Sequence, residues 1–196
     1  MTFNVQGATY PEEGPNSWGS RTALNVGTIK RYTPDMIGFQ EIQGGNLATY
    51  RKRLTDYDHV AGKCYGDVEP TEFTSIFWKH ERFELVESGE FWLSETPDEP
   101  STGWGVPYPM GATWVRLRCR DDGNDLVHLN THLDRRPPSL TRSRPGRGCC
   151  APRRTAWATR TGPRPTQMSE LIRGTVWTAG TPAVAVAGGL PSLRDA

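Results

Sequence analysis

A change of period partway along the chain constrains its fold more than any other feature. Up to residue 60, short extended runs alternate with helical patterning, whereas from residue 74 one extended run follows another. Thr2-Phe3-Asn4-Val5 reads as a short strand, followed by Gly7 and the turn-rich Tyr10-Pro11-Glu12-Glu13-Gly14-Pro15-Asn16. Trp18, Ala23, Val26 and Ile29 approximate helical spacing over residues 18–32, and Pro34 breaks the pattern. Met36-Ile37-Gly38-Phe39-Gln40 is then a strand ending on Glu41. A second helix is expected over 46–54, and Tyr57-Asp58-His59-Val60 resumes extended structure. This β-α-β-α-β order calls for helices layered on a sheet.

The second texture consists of five strand candidates: residues 74–78, 83–87, 90–93, 112–117 and 126–131. Turn chemistry at His80-Glu81-Arg82, Glu87-Ser88-Gly89 and Asp121-Asp122-Gly123-Asn124 separates several of them. A long loop with four prolines spans residues 97–109. Together the two textures predict a layered α/β sandwich. With 35% apolar and 23% charged residues, the composition fits neither a disordered chain nor a membrane protein. No apolar run approaches the roughly 20 residues of a spanning helix, and the start lacks the pattern of a secretory signal, so a cytoplasmic address is expected.

Net charge is +1, but it is unevenly spread. Residues 1–134 carry 12 Lys and Arg against 20 Asp and Glu, while residues 135–166 carry nine Arg, six Pro and no acid. That Arg/Pro-rich stretch buries too little to offset about 1–2 kcal/mol of backbone entropy per residue, and it reads as disordered. Residues 167–196 return to helix-like and strand-like text, ending in Pro182-Ala183-Val184-Ala185-Val186-Ala187. Cys64, Cys119, Cys149 and Cys150 form no CxxC pair, which argues against both a zinc site and a disulfide framework.

Several short segments carry chemistry. Glu41 ends a run that reads as buried, where an acid needs a cation or a donor. Mg²⁺ is such a partner, since it prefers oxygen ligands and takes only one or two protein carboxylates. Asn4 lies in the first strand, which can deliver its carboxamide to the same sheet edge. His132 follows an alternating strand and can donate to a phosphoryl oxygen that gains charge in a transition state. His59, His80 and His128 have no such context and read as surface or strand-face residues; Trp18 and Arg21 read as bracing for the first helix.

In order along the chain, Thr2-Phe3-Asn4-Val5, Trp18 with Arg21, Pro34-Asp35-Met36-Ile37-Gly38-Phe39-Gln40-Glu41, Phe91-Trp92-Leu93-Ser94-Glu95-Thr96-Pro97 and Asn130-Thr131-His132-Leu133-Asp134 resemble the endonuclease/exonuclease/phosphatase superfamily. This superfamily is similar in fold to deoxyribonuclease I. The resemblance covers nearly all of residues 1–134. It implies a four-layer α-β-β-α sandwich, its second half incomplete, and divalent-metal-dependent hydrolysis of a phosphoester substrate. It further implies that Glu41 holds Mg²⁺ (or Mn²⁺) with Asn4 supporting the metal site, that His132 contacts phosphate, and that Glu72 orients the His132 ring.

Members of the superfamily continue with Gly-Asp-x-Asn, a further acidic metal-site residue and Ser-Asp-His, and this sequence has none of the three. Gly180-Thr181-Pro182-Ala183-Val184-Ala185-Val186-Ala187-Gly188 resembles the strand leading into the first, with Gly189-Leu190-Pro191 where the motif would stand. A reading frame disrupted after Asp134 accounts for this, with residues 167–196 a degenerate continuation, and implies metal binding with little turnover. The alternative is a non-catalytic remnant whose arginine-rich arm binds phosphate or nucleic acid, although the acidic body disfavours nucleic acid.

Overall fold

The computed structural model describes residues 1–9, 11–62, 64–65, 72–103, 106–133 and 183–187. In chain order these form β1 (Thr2–Asn4), α1 (Trp18–Tyr32), β2 (Met36–Gln40), α2 (Gly44–Arg53), β3 (Tyr57–Val60), β4 (Cys64–Tyr65), β5 (Glu72–Phe73), β6 (Ile76–Lys79), β7 (Phe83–Trp92), β8 (Gly111–Cys119), β9 (Asp125–Thr131) and β10 (Ala183–Ala187). The expected disordered segment at 135–166 and the helix at 168–173 lie outside the described residues.

Two four-stranded sheets carry the architecture. The first has the order β1-β2-β6-β3 and the second β10-β9-β8-β7, with β4-β5 as a small separate ribbon. β1 runs parallel to β2, pairing Asn4 with Gln40, and the remaining pairs are antiparallel. A parallel pair needs a crossover. Helix α1 supplies it: Ser17 accepts from the Ser20 amide at its start, and Thr33, in the left-handed region, donates its amide to the Ile29 carbonyl at its end.

Strand alternation divides the sheets into faces. Ile37, Phe39 and Phe77 point toward α1 and α2, where they bury with Val26, Ile29, Leu47 and Tyr50. The opposite face of the same sheet presents Ile76 and Trp78 to Val115 and Leu117 of β8. The outer face of the second sheet buries Ala112, Trp114 and Leu129 with Leu93 and Met110 from the loop that follows β7. Helices, sheet and sheet are thus three successive layers of the expected sandwich. Among the described residues no helix is long and apolar enough to cross a membrane.

Two expectations are corrected. The strands read at 83–87 and 90–93 are one ten-residue strand, β7, with a register irregularity between Leu85 and Glu87 in place of a turn. Gly89 is there because Trp114 of β8 lies across it: a Cβ at this position would sit 2.7 Å from the indole nitrogen. The second helix starts at Gly44, two residues earlier than its apolar pattern indicates, because the Asn46 side chain accepts from the Gln43 amide at 2.9 Å and caps the first turn.

Candidate active site

The parallel pairing of β1 with β2 brings the ends of both strands to one edge. The Val5 amide bonds the Gln40 carbonyl at 3.1 Å and the Gly7 amide bonds the Glu41 carbonyl at 3.0 Å, so the two chains stay zipped just beyond the strands. Glu41 itself has φ of 57°, in the left-handed region that a non-glycine residue enters only when its surroundings hold it there. That turn takes the carboxylate out of the sheet's alternation. Asn4 Nδ2 donates to Glu41 Oε1 at 2.7 Å, and Asn4 Oδ1 accepts from the Gln6 amide at 3.0 Å. The carboxamide therefore orients the acid through its nitrogen.

His132 arrives from the other sheet, one residue past the end of β9. Its Nε2 lies 3.7 Å from Glu41 Oε1, and both side chains are 30% exposed. Glu72 arrives on β5, which is pinned beside Glu41 by a hydrogen bond that the Phe73 amide donates to the Ile42 carbonyl at 2.8 Å. Its carboxyl accepts a hydrogen bond from Gln43. Burial first, and then the negative charge of Glu41, push it above the usual carboxylate range. Asn4, Glu41, Glu72 and His132 thus gather at one end of the sandwich from four different strands. Glu41 stands beside the imidazole, and Glu72 accepts from Gln43.

Two supports complete the arrangement. Arg21 of α1 donates to four backbone carbonyls: Asn16 at 2.6 Å, Val5 at 2.6 Å, Gln6 at 2.9 Å and Gly7 at 2.9 Å. Such a fork of donors on one guanidinium holds the loop after β1 as a lysine could not. Trp18, read with Arg21 as bracing, packs edge-on against Tyr50 and donates to Thr49 Oγ1 at 3.2 Å. Gln43 is the residue that sequence reading misses. Its Oε1 accepts from the Ala8 amide at 2.6 Å, the Thr9 amide at 2.8 Å and the Thr9 hydroxyl at 2.8 Å. Its carboxamide lies flat on Gly7, whose φ is +45° and where a Cβ would fall 2.8 Å from Cδ. A glutamine two positions after the acid, ahead of a glycine pair, is the only trace of this in the sequence.

The other histidines lie apart from this end. His59 stacks on Phe77 with ring centroids 4.9 Å apart and bonds Arg51 at 2.7 Å. His128, on the inter-sheet face of β9, is 1% exposed, and burial brings its pKa down to about 4.

Solved structures share this arrangement of sheets and helices. An endonuclease/exonuclease/phosphatase family protein from Bacteroides thetaiotaomicron is 31% identical with a TM-score of 0.62, over 68% of this chain and 50% of its own. A mannosyl-6-phosphatase from the same organism is also 31% identical, with a TM-score of 0.60 over 68% of this chain and 51% of its own. The chain shares the fold of these endonuclease/exonuclease/phosphatase structures. The human nocturnin catalytic domain shares that fold at 22% identity and a TM-score of 0.53, over 68% of this chain and 48% of that one. An uncharacterised protein of Acanthamoeba polyphaga mimivirus is 30% identical over 96 residues, which are 46% of this chain and 35% of that protein. No protein-family profile matches the chain. It spans about half the length of these superfamily structures and about a third of the viral relative.

Within this superfamily fold the metal expectation can be tested against the donors. Among the described residues no group of three or more histidine, cysteine or acidic side chains is gathered closely enough to hold a metal ion. Two acids do approach one another there: the negative charge of Glu41 is felt at Glu72. Two hard oxygen donors are the kind of set a Mg²⁺-type site uses, in which water and substrate supply the remaining ligands.

Proposed function

We propose that the chain carries the metal-holding half of a divalent-metal-dependent phosphoester hydrolase site. The observation that supports this most is the single oxygen Oε1 of Glu41, which meets Asn4 from the first sheet and His132 from the second. Glu41 would hold Mg²⁺ or Mn²⁺ with help from Glu72, and the bound ion would polarise the phosphoryl group. Asn4 Nδ2 keeps the Glu41 carboxylate turned toward the cleft. His132 donates a hydrogen bond to a phosphoryl oxygen and so favours the state in which that oxygen gains charge. Glu72 lies within reach of the Glu41 charge and is itself held by Gln43. The relative named mannosyl-6-phosphatase supports a phosphate monoester on a small molecule as the substrate class.

The Gly-Asp-x-Asn and Ser-Asp-His residues that activate water in the superfamily are not matched in residues 135–196. These 196 residues therefore bind the metal and turn over slowly. Isothermal titration of the chain with Mn²⁺ tests the first claim: binding is expected in the wild type and lost in Glu41→Ala. Equal affinity in the two overturns the site. Phosphate release from a panel of sugar phosphates, nucleotides and phosphodiesters tests the second. Robust release abolished by His132→Ala would show that turnover is intact. Salt-sensitive oligonucleotide binding that survives Glu41→Ala and disappears when the arginines of 135–166 are neutralised would replace the hydrolase with a nucleic-acid-binding remnant.

A further inference from the structure

The face between the two sheets is apolar at one end and polar at the other. At the apolar end Ile76, Trp78 and Phe83 meet Val115 and Leu117. At the polar end, next to Glu41 and His132, Asn130 reaches across from β9 and is fully buried. Its Nδ2 donates to the Phe39 carbonyl at 2.7 Å and to the Ser75 carbonyl at 3.0 Å, and its Oδ1 accepts from Gln40 Nε2 at 2.7 Å. One side chain of the second sheet thereby ties two backbone strands and one side chain of the first. Gly38 makes the room: a Cβ there would lie 2.7 Å from Asn130 Oδ1.

The position of this tie matters more than its strength. Gln40 precedes Glu41 by one residue. Asn130 precedes His132 by two and shares its face of the strand direction. Glu41 and His132 both stand just past the ends of their strands, beyond the ladder hydrogen bonds, so the separation between them depends on how the sheets are registered. Apolar contact between sheets is non-directional and allows sliding. Three directional bonds to a buried carboxamide do not.

We infer that Asn130, with Gln40 as its partner and Gly38 as its seat, is the positioning residue that sets the distance between Glu41 and His132. This rests on the hydrolase reading for its purpose but not for its geometry, and the test separates the two. Crystal structures of the metal-free Asn130→Ala and Gly38→Ala chains are compared with the wild type. Asn130→Ala deletes the tie, whereas Gly38→Ala displaces it without removing a donor. Phe77→Leu, which loosens the helix-side core, is the control for a merely structural role. The expected result is a Glu41–His132 separation well beyond 3.7 Å in the first two and unchanged in the control. An unchanged separation in both seam variants overturns the inference. Mn²⁺ alone is then added and the broadening of NMR signals is read at Asn4 and at His132. The inference expects Asn4 broadening to be kept in Gly38→Ala and His132 broadening to fall several-fold, and equal His132 broadening in wild type and variant counts against it. Loss of broadening at Asn4 in the wild type would remove the metal site while leaving the crystallographic result to stand on its own.

Discussion

The two faces of the first sheet are built on opposite principles. Toward the helices, Phe39 stacks on Tyr50 at 4.7 Å and meets Phe77 edge-on at 5.2 Å, in a layer held by ring packing. Toward the second sheet, the end nearest Glu41 is held by carboxamides and hydroxyls: Gln40 with Asn130, and Thr74 with Thr113 at 2.9 Å. Apolar burial contributes more free energy per residue and tolerates small displacements. A buried polar tie contributes less, yet it fixes position, because every atom in it must find its partner or remain orphaned. The molecule places adaptable packing where it needs stability and unforgiving geometry where two sheets must present side chains to one point.

Substitutions that act on one face alone would sharpen the contrast. Phe77→Ala empties part of the ring layer and is expected to cost about 3–5 kcal/mol in chemical denaturation, with the Glu41–His132 separation preserved. Asn130→Ala removes three buried hydrogen bonds across the seam, to the Phe39 and Ser75 carbonyls and from Gln40, and is expected to cost about 3 kcal/mol, with the separation lost. If the two variants swapped these signatures, the comparison would be broken.

His128 adds a pH test of the same seam. Its imidazole stands buried with neither ring nitrogen bonded among the described residues, and its pKa falls from 6.5 to about 4 because of burial. Between those values the unfolded chain binds the proton that the folded chain refuses. Stability is therefore fully present above pH 6.5 and declines as the pH drops toward 4, by on the order of 2 kcal/mol at pH 5. Urea midpoints at pH 7.5 and pH 5 should differ in the wild type, and His128→Leu should remove most of the difference.

Smaller effects follow at the periphery. Gln43→Met keeps the bulk over Gly7 but gives up the bonds to Ala8, Thr9 and Glu72. It should cost about 1–2 kcal/mol, speed hydrogen exchange at the Thr9 amide and weaken Mn²⁺ binding. Thr113→Val removes one hydroxyl bond from the seam at nearly constant shape, and about 1 kcal/mol is expected in the melting analysis, with no change at the site.

Much of this was legible in the residues. Helix α1 and strands β2 and β3 follow from a period, a proline and a run of apolar side chains, because their stability is local patterning plus burial. The strand at the end of 183–187 was equally readable, and it pairs with β9 as a fourth strand of the second sheet. The convergence of Asn4, Glu41 and His132 was read from resemblance. The seam is hidden in the sequence because a Gln at the end of Met36–Gln40 and an Asn within Asp125–Thr131 look like strand-end polarity until the other sheet is in place. Gly89 misled for a related reason: a glycine serving a tryptophan across the ladder has the same spelling as one serving a turn. Gln43 could not be read at all, since its four partners come from three separate segments.

Gly38 and Asn130 behave as a matched pair of shapes, one supplying a hollow and the other the group that fills it. Neither can drift by itself: a larger residue at the first position demands a shorter one at the second, and a shorter second leaves a void that the first cannot close. In any collection of sequences sharing this architecture, the two columns should vary together or not at all, and a chain with a bulky residue at the first should have lost the carboxamide at the second.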